Sequence, residues 1–254
     1  MGNGKLYDAI FKRKSIRKYD LTPLDSQTLA DLEGYITSVK PMVSGIEIQT
    51  KIVSHSNIKN MLPIEAPHYL LFFSKGTGSY LTNAGFMLQQ IDLYLSANGI
   101  GSCYLGMANP KKELKEEFEC AGFEFVIMLG FGKAQGDVHR ADISEFSRRK
   151  LPEISEGGCD QKLMEAARLS PSATNSQPWF FISGKACIHA YCSKANIIKA
   201  FLYEKMNKVD MGIALSHIAV AAEHEGMQIS FADDENAKAN APKGNYYIAT
   251  VILK

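Results

Sequence analysis

Two long amphipathic segments dominate the hydrophobic pattern. In the first, Leu81, Ala84, Leu88, Ile91 and Leu95 recur at spacings of three and four, which lays an apolar seam along one helical face. The spacing predicts a helix over about 80–98, stopped at Gly99. In the second, Met211, Leu215, Ile218 and Ala222 follow the same rule and predict a helix over about 209–225, stopped at Gly226. The two segments match at one constant shift of 127 (210 − 83): Asn83 falls on Asp210, Ala84 on Met211, Gly85 on Gly212, Leu88 on Leu215, Ile91 on Ile218 and Gly99 on Gly226. A shift of half the chain implies an internal duplication. Two unrelated amphipathic helices would not bring glycines and seam positions into step together.

Short β-branched and aromatic runs flank both helices, bounded by Gly, Pro and polar residues. Strands are expected at 46–53, 68–74, 100–105 and 124–131 around the first helix. Around the second they are expected at 179–183, 186–192, 227–232 and 246–253. Each half thus reads as helix, two strands, long helix, two strands. The fold class is α+β, with a mixed or antiparallel sheet in each half packed on helices around the long central pair. The halves divide as 1–145 and 146–254 in one unit, and a polar stretch at about 133–158 crosses between them.

Composition narrows the partners. The chain has 254 residues, 46% hydrophobic and 22% charged, a globular balance with enough length to bury a large core. A formal net charge of +1 gives no broad electrostatic case for nucleic acid or an anionic membrane surface, so a local basic cluster would serve a small anion. Cys103, Cys120, Cys159, Cys187 and Cys192 are odd in number and form no CxxC pair, the pattern of reduced thiols. The histidines show no HExxH spacing, so no zinc site is expected. No signal-peptide core or bilayer-length apolar run occurs, and Gly2 is followed by Leu6 where N-myristoylation requires Ser or Thr. The expectation is a soluble, cytoplasmic protein.

Three stretches carry candidate chemistry. The arm Arg13-Lys14-Ser15-Ile16-Arg17-Lys18-Tyr19 follows a short helix at about 5–12 whose Leu6, Ile10 and Phe11 face inward. So many basic side chains usually make a solvated surface. Ser15 and Ile16 interrupt the charge, however, and an extended arm would turn Arg13, Ser15 and Arg17 to one side. Two guanidinium forks flanking a hydroxyl suit a phosphate. The second stretch runs from Ala166 to Trp179: a helix capped by Asp160 and ended by Pro171, then small polar residues. Ser172, Asn175 and Gln177 offer donors and acceptors for the edge of a polar heterocycle, and Trp179 reads as a packing anchor. The third, Gly99-Ile100-Gly101-Ser102-Cys103-Tyr104-Leu105-Gly106, permits close backbone approach to a planar ligand but lacks the GxGxxG spacing of a dinucleotide fold.

Together these stretches resemble the nitroreductase family of flavoproteins, in the internally duplicated single-chain form of the TM nitroreductase subfamily. In that family two chains exchange elements around long central helices, and each FMN lies at their interface. The resemblance implies that Arg13, Ser15 and Arg17 hold the FMN phosphate, with Arg148 or Arg149 of the crossing segment adding a contact. It places Lys14 by the pyrimidine side, lets Ser172, Ala173, Asn175 and Gln177 orient the ring, and gives the ring edge to the backbone of Tyr104, Leu105 and Gly106. It further implies reduction by NADH or NADPH and transfer to a nitroaromatic, quinone or related small acceptor, with the flavin carrying the chemistry and no side chain required as acid or base. A flavin-binding protein without turnover is the alternative.

The order of motifs departs from the family. Aligning Pro41 with Pro171 sets Met42 against Ser172, Gly45 against Asn175 and Glu47 against Gln177, so half one lacks the polar loop, while half two has no recognisable arm. The complementary parts of one site survive, one in each half. The expectation is a single-chain pseudo-dimer with one FMN, monomeric or weakly dimeric.

Overall fold

The computed structural model describes residues 3–158, 160–184, 186–194 and 200–254; Gly2 and Cys159 lie outside the described residues. In the first half, α1 (Asn3–Ile10) and α2 (Ser26–Ser38) precede β1 (Ile48–Ser54), the short β2 (Ile58–Asn60) and β3 (His68–Ser74). The long α3 (Tyr80–Ala97) is followed by β4 (Gly101–Tyr104), β5 (Ala108–Pro110), α4 (Lys112–Cys120) and β6 (Glu124–Gly132). In the second half come α5 (Leu151–Ile154), β7 (Ser155–Gly157), α6 (Gln161–Arg168), β8 (Trp179–Ser183) and β9 (Cys187–Ser193). The long α7 (Ala200–His224), β10 (Ile229–Ala232), α8 (Glu235–Ala239) and β11 (Asn245–Leu253) complete the chain. The α+β expectation holds.

Both halves are wired alike. The first sheet runs β1-β3-β6-β4, antiparallel throughout. The second runs β8-β9-β11-β10 in the same pattern, extended by β7, which pairs parallel with β8. The inner pairs even share an irregularity. Val126 is unpaired between Ile127 and Phe125 opposite Phe72 and Phe73, and Ile248 is unpaired between Ala249 and Tyr247 opposite Ala190 and Tyr191. Bulges of this kind bend a strand locally, so each sheet wraps its long helix at the same place.

The helices α3 and α7 lie against each other in the middle. The sequence seam predicted one apolar face, but α3 is buried around most of its circumference, including polar Thr82, Asn83, Gln89, Asp92 and Ser96. Several of its polar residues are spent inside the protein: Asn83 on the 42–43 loop, Gln89 on His217 and Asp92 on Arg13. The second helix also begins at Ala200, nine positions before the expected 209. The seam positions that precede Met211 are occupied by Lys208 and Glu204, so the apolar spacing did not reach these first turns.

Close helix approach depends on the two matched glycines. A Cβ on Gly85 would stand 2.0 Å from the Val209 carbonyl oxygen, and one on Gly212 would stand 1.9 Å from that of Thr82. At the shift of 127, Thr82 is the counterpart of Val209. The two contacts are therefore one contact made twice, as across a two-fold axis. The loops dock in the same paired way. The Asn83 Oδ1 accepts from the Met42 and Val43 N–H groups at 2.8 and 3.1 Å, and the Asp210 carboxylate accepts from the Ala173 N–H at 3.0 Å. Among the described residues, no helix is long and apolar enough to cross a membrane, and Cys103, Cys120, Cys187 and Cys192 are free thiols.

Gly85→Ala or Gly212→Ala should each force the helices apart against backbone, not a yielding side chain. Each is expected to cost about 1–3 kcal/mol, the usual range for overpacking, in urea denaturation. A loss below about 0.5 kcal/mol would show that the crossing is looser than described.

Candidate functional site

The arm is anchored before it is functional. Ile16 sits in the core at 7% exposure, its N–H donates to the Ser102 carbonyl at 2.9 Å, and Ser15 bridges Ser102 in parallel. Gly101 exists for this contact: a Cβ there would lie 2.8 Å from the Ile16 side chain. Its role is to admit the arm, not a planar ligand. The Tyr19 hydroxyl donates to the Ile16 carbonyl at 2.7 Å and closes the turn.

Arg13 is not an open phosphate ligand. It is 1% exposed, and its Nε lies 2.9 Å from Oδ2 of Asp92, itself fully buried. The N–H does not point along that line, so the contact is an ion pair rather than an aligned hydrogen bond. Asp92 also accepts from the Ser102 hydroxyl at Oδ1, at 2.5 Å, and from the Gln89 amide at Oδ2, at 3.1 Å. That amide also donates to His217 Nε2 at 3.0 Å across the helix pair. Burial pushes the His217 imidazole down to about 3, so the ring is neutral. Its Nδ1–H donates to the Ala166 carbonyl at 2.8 Å, which leaves Nε2 as the acceptor. The Tyr104 hydroxyl donates to Gln89 Oε1 at 3.1 Å and ties this network to the cavity described next.

Two adjoining cavities lie between the halves. A polar one of about 420 Å³ is lined by Arg13, Lys14, Ser15 and Arg17 of the arm and by Arg140 and Arg148 of the crossing segment, with Ser172, Thr174 and Asn175 of the loop. Four guanidinium groups and one ammonium meet there against a single carboxylate, Glu145. Burial and then the neighbouring Arg13 and Arg140 bring the Arg148 guanidinium down to about 10. Burial and Arg13 lower Arg140 as well. The guanidinium groups of Arg140 and Arg148 share the Phe146 ring, their Cζ atoms 4.0 and 5.6 Å from its centre. Arg13 is matched by Asp92, but the other cations face only Glu145 in this lining, and cations held so close form an anion site.

The second cavity, about 330 Å³, shares Ser15, Arg17, Pro171, Ser172 and Thr174 with the first. Its walls are mostly apolar: Ile64, Ile127, Met206 and Ile213, with Tyr104, Gly106, Ala173 and Asp210. Leu62 and Met107, which also line it, are 37% and 44% exposed, and neighbouring Met61 is 79% exposed. Exposed apolar side chains therefore belong to the lining of this cavity.

The loop itself is strained. Thr174, Asn175 and Gln177 adopt φ of 53°, 58° and 50°, a region that costs a residue other than Gly about 1–3 kcal/mol. Its polar side chains are spent on holding that shape. Gln177, 5% exposed, accepts from the Arg149 N–H at 2.8 Å. The Ser172 hydroxyl oxygen accepts from the Gln177 N–H at 2.9 Å. Asn175 accepts from Arg148 at 2.7 Å and donates to the Ser147 carbonyl at 2.9 Å.

The structure therefore gathers Lys14, Ser15, Arg17, Tyr104, Gly106, Arg148, Ser172, Ala173 and Asn175 around the joined cavities, with Arg13 behind them. Three expected residues stand elsewhere. Leu105 is fully buried in the core, and its N–H donates to the Met128 carbonyl at 3.0 Å. Gln177 braces the loop from behind. Arg149 is exposed and donates to the Ser176 carbonyl at 3.3 Å. Arg140, Thr174 and Asp210 belong to the walls and were not singled out by sequence. Arg140 carried one readable signal, its place in the same basic crossing segment as Arg148.

Comparison with known proteins follows the same line. A family model described as "Putative TM nitroreductase" matches residues 5–222. A crystal structure from Thermotoga maritima, described as a putative nitroreductase, is similar at 19% identity and a TM-score of 0.67, covering 98% of this chain and 92% of that one. A nitroreductase with bound FMN from Desulfitobacterium hafniense is similar at 14% identity and a TM-score of 0.42, covering 59% of this chain and 100% of that one. An FMN-dependent nitroreductase from Clostridium difficile is similar at 16% identity and a TM-score of 0.44, covering 55% and 93%. No curated protein matches the sequence.

Asp92→Asn would leave the buried Arg13 charge without its counter-ion. The expected loss is about 3–5 kcal/mol in urea denaturation, the cost of breaking a buried pair from one side. A change under about 1 kcal/mol would mean that Arg13 finds water or another partner.

Proposed function

The chain belongs to the TM nitroreductase family, and on that premise we propose that it is an FMN-dependent oxidoreductase that takes hydride from NADH or NADPH and reduces nitroaromatic, quinone or related acceptors. One observation carries the reading: a cluster of cations from the arm and crossing segment opens directly into an apolar cavity walled by the loop of the other half. An anionic phosphate on a flat apolar ring system matches both compartments, and their volumes fall in the range of about 300–1,000 Å³ usual for ligand sites.

The residues present fit FMN in this way. Arg17, Lys14, Arg140 and Arg148 would hold the phosphate, each charge-assisted hydrogen bond contributing about 1.5–3 kcal/mol. Arg13 fixes the arm from below through Asp92. Tyr104, Ile127 and Ile213 would flank the ring, and the pinned 171–174 backbone would orient its polar edge. The flavin, when bound, supplies the hydride chemistry. The chain supplies position, an apolar surface that limits water, and positive charge from Arg17 shared between the two compartments. The exposed side chains of Met61, Leu62 and Met107 suit a flat apolar acceptor, since methionine adapts its shape to varied ligands.

The halves are best read as a duplicated pair, 1–145 and 146–254, with one site. The counterpart of the polar loop in half one carries Met42 and Val43, both packed into the core, and docks on Asn83 without a basic cluster in its sequence. The molecule would act as a monomer or weak dimer in the cytoplasm.

Purified protein is expected to be yellow and to bleach anaerobically with NADH or NADPH; a flavin that stays oxidised would make it a carrier without turnover. Arg17→Ala should raise the Kd for FMN about tenfold to a hundredfold while altering the stability of the flavin-free protein by less than about 0.5 kcal/mol. Unchanged affinity in fluorescence titration would remove the phosphate from this cluster.

A further inference from the structure

The two long helices carry different residues at one matched position. Asn83 and Asp210 do the same structural task, each accepting backbone N–H groups from the loop that docks on its own helix. The amide does it fully: its oxygen takes two N–H groups, and its nitrogen donates to the Met87 sulfur at 3.6 Å. The carboxyl does it with an oxygen to spare, because both Asp210 oxygens reach only the Ala173 N–H, at 3.2 and 3.0 Å. Loop docking therefore does not require an acid. The acid occurs in the half that supplies the polar loop, and it lines the apolar cavity, whereas Asn83 lies in the wall of neither of the two cavities.

At 4% exposure, and with no ion pair recorded for it among the described residues, a carboxylate here would be a buried charge with one N–H for company. That is costly unless the group stays neutral. A neutral carboxyl has one O–H left over, and the cavity is where it can be used. We propose that Asp210 is a catalytic residue, giving its proton to the oxygen of an acceptor reduced in the cavity between the halves. This rests on the flavin reading above. The balance is simple. Two-electron reduction of a quinone takes one hydride, which the flavin would supply when bound, and one proton. The O–H bond of Asp210 breaks as an O–H bond forms on the acceptor. The carboxylate left behind recovers its proton from water at the cavity mouth.

Burial raises the Asp210 carboxyl to about 8, so it holds the proton at neutral pH. Other charged and titratable groups stand around it. Arg17 of the arm lines the same cavity as a cation, and Tyr203 lines it from the same helix. Burial pushes Cys103 and Tyr104 of β4 upward, and Cys192 of β9 up to about 11. The folded chain keeps this proton to about pH 8, and an unfolded Asp only to about 4. The contribution is thus complete below about pH 4 and lost as pH rises through about 8.

The test uses FMN-loaded protein reduced anaerobically with dithionite, then mixed with p-benzoquinone, which needs a proton, or ferricyanide, which takes an electron alone. In Asp210→Asn the ratio of quinone rate to ferricyanide rate should fall about a hundredfold at pH 7, the scale of general acid catalysis. In the unaltered protein the same ratio should fall as pH rises through about 8, a measurement that needs no variant. Independently of flavin, the melting temperature of the unaltered protein relative to Asp210→Asn should decline between about pH 4 and 8. Equal ratios in both proteins, or a flat ratio across pH 7–9, would overturn the proposal. A melting difference that shows no pH trend would also overturn it, because Asp210 would then be ionised. Protein that never takes up FMN would overturn both this and the flavin reading, whereas loaded protein with equal ratios overturns this alone.

Discussion

The contact between α3 and α7 at Gly85 and Gly212 sets the geometry of everything else. Two helices that close on each other's carbonyls fix the distance between the halves to a fraction of an ångström, because protein interiors do not yield continuously. The arm hangs on β4 immediately after α3, and the loop docks on α7 through Asp210. Each functional stretch is therefore indexed to one helix of the pair. The cavities are the space that remains when that pair is closed.

A second layer stiffens the result. Arg13, Asp92, Gln89 and His217 join the arm to both helices through fully buried polar groups, and Tyr104 extends the chain of contacts to the cavity wall. Buried networks of this kind specify one arrangement, since a slip would separate the Arg13 charge from Asp92 and strand further donors. The strained loop fits the same scheme. Its left-handed residues persist because Ser172, Asn175 and Gln177 are all engaged in holding them. Rigidity on both sides is what a site needs when the protein must hold a bound group in one position.

Much of this was legible in the residues. The matched helices, most of the main strands and the meeting of arm and loop all followed from spacing, turn residues and resemblance. What failed did so for physical reasons. Sequence shows which residues can donate or accept but not where those bonds are spent, so Gln177 and Arg149 looked like ligands while serving as braces. Alternation placed Arg13 beside Arg17, but burial against Asp92 depends on a helix some eighty positions away. Leu105 was credited with a free backbone that β6 already occupies. Asp210 was read only as the partner of Asn83 in a repeat, because its environment is made by β4, the loop and the arm together. The start of α7 was missed where its residues face a cavity instead of a core.

The two halves share one strand order around the helix pair, but their loops carry different residues. Cations and a polar loop meet on one side of the helix pair, while core residues fill the loop position on the other. Calorimetric titration of flavin-free protein with FMN tests that asymmetry most directly. A single set of sites saturating at one FMN per chain is the expected result; two equivalents of similar affinity, or no uptake, would contradict it.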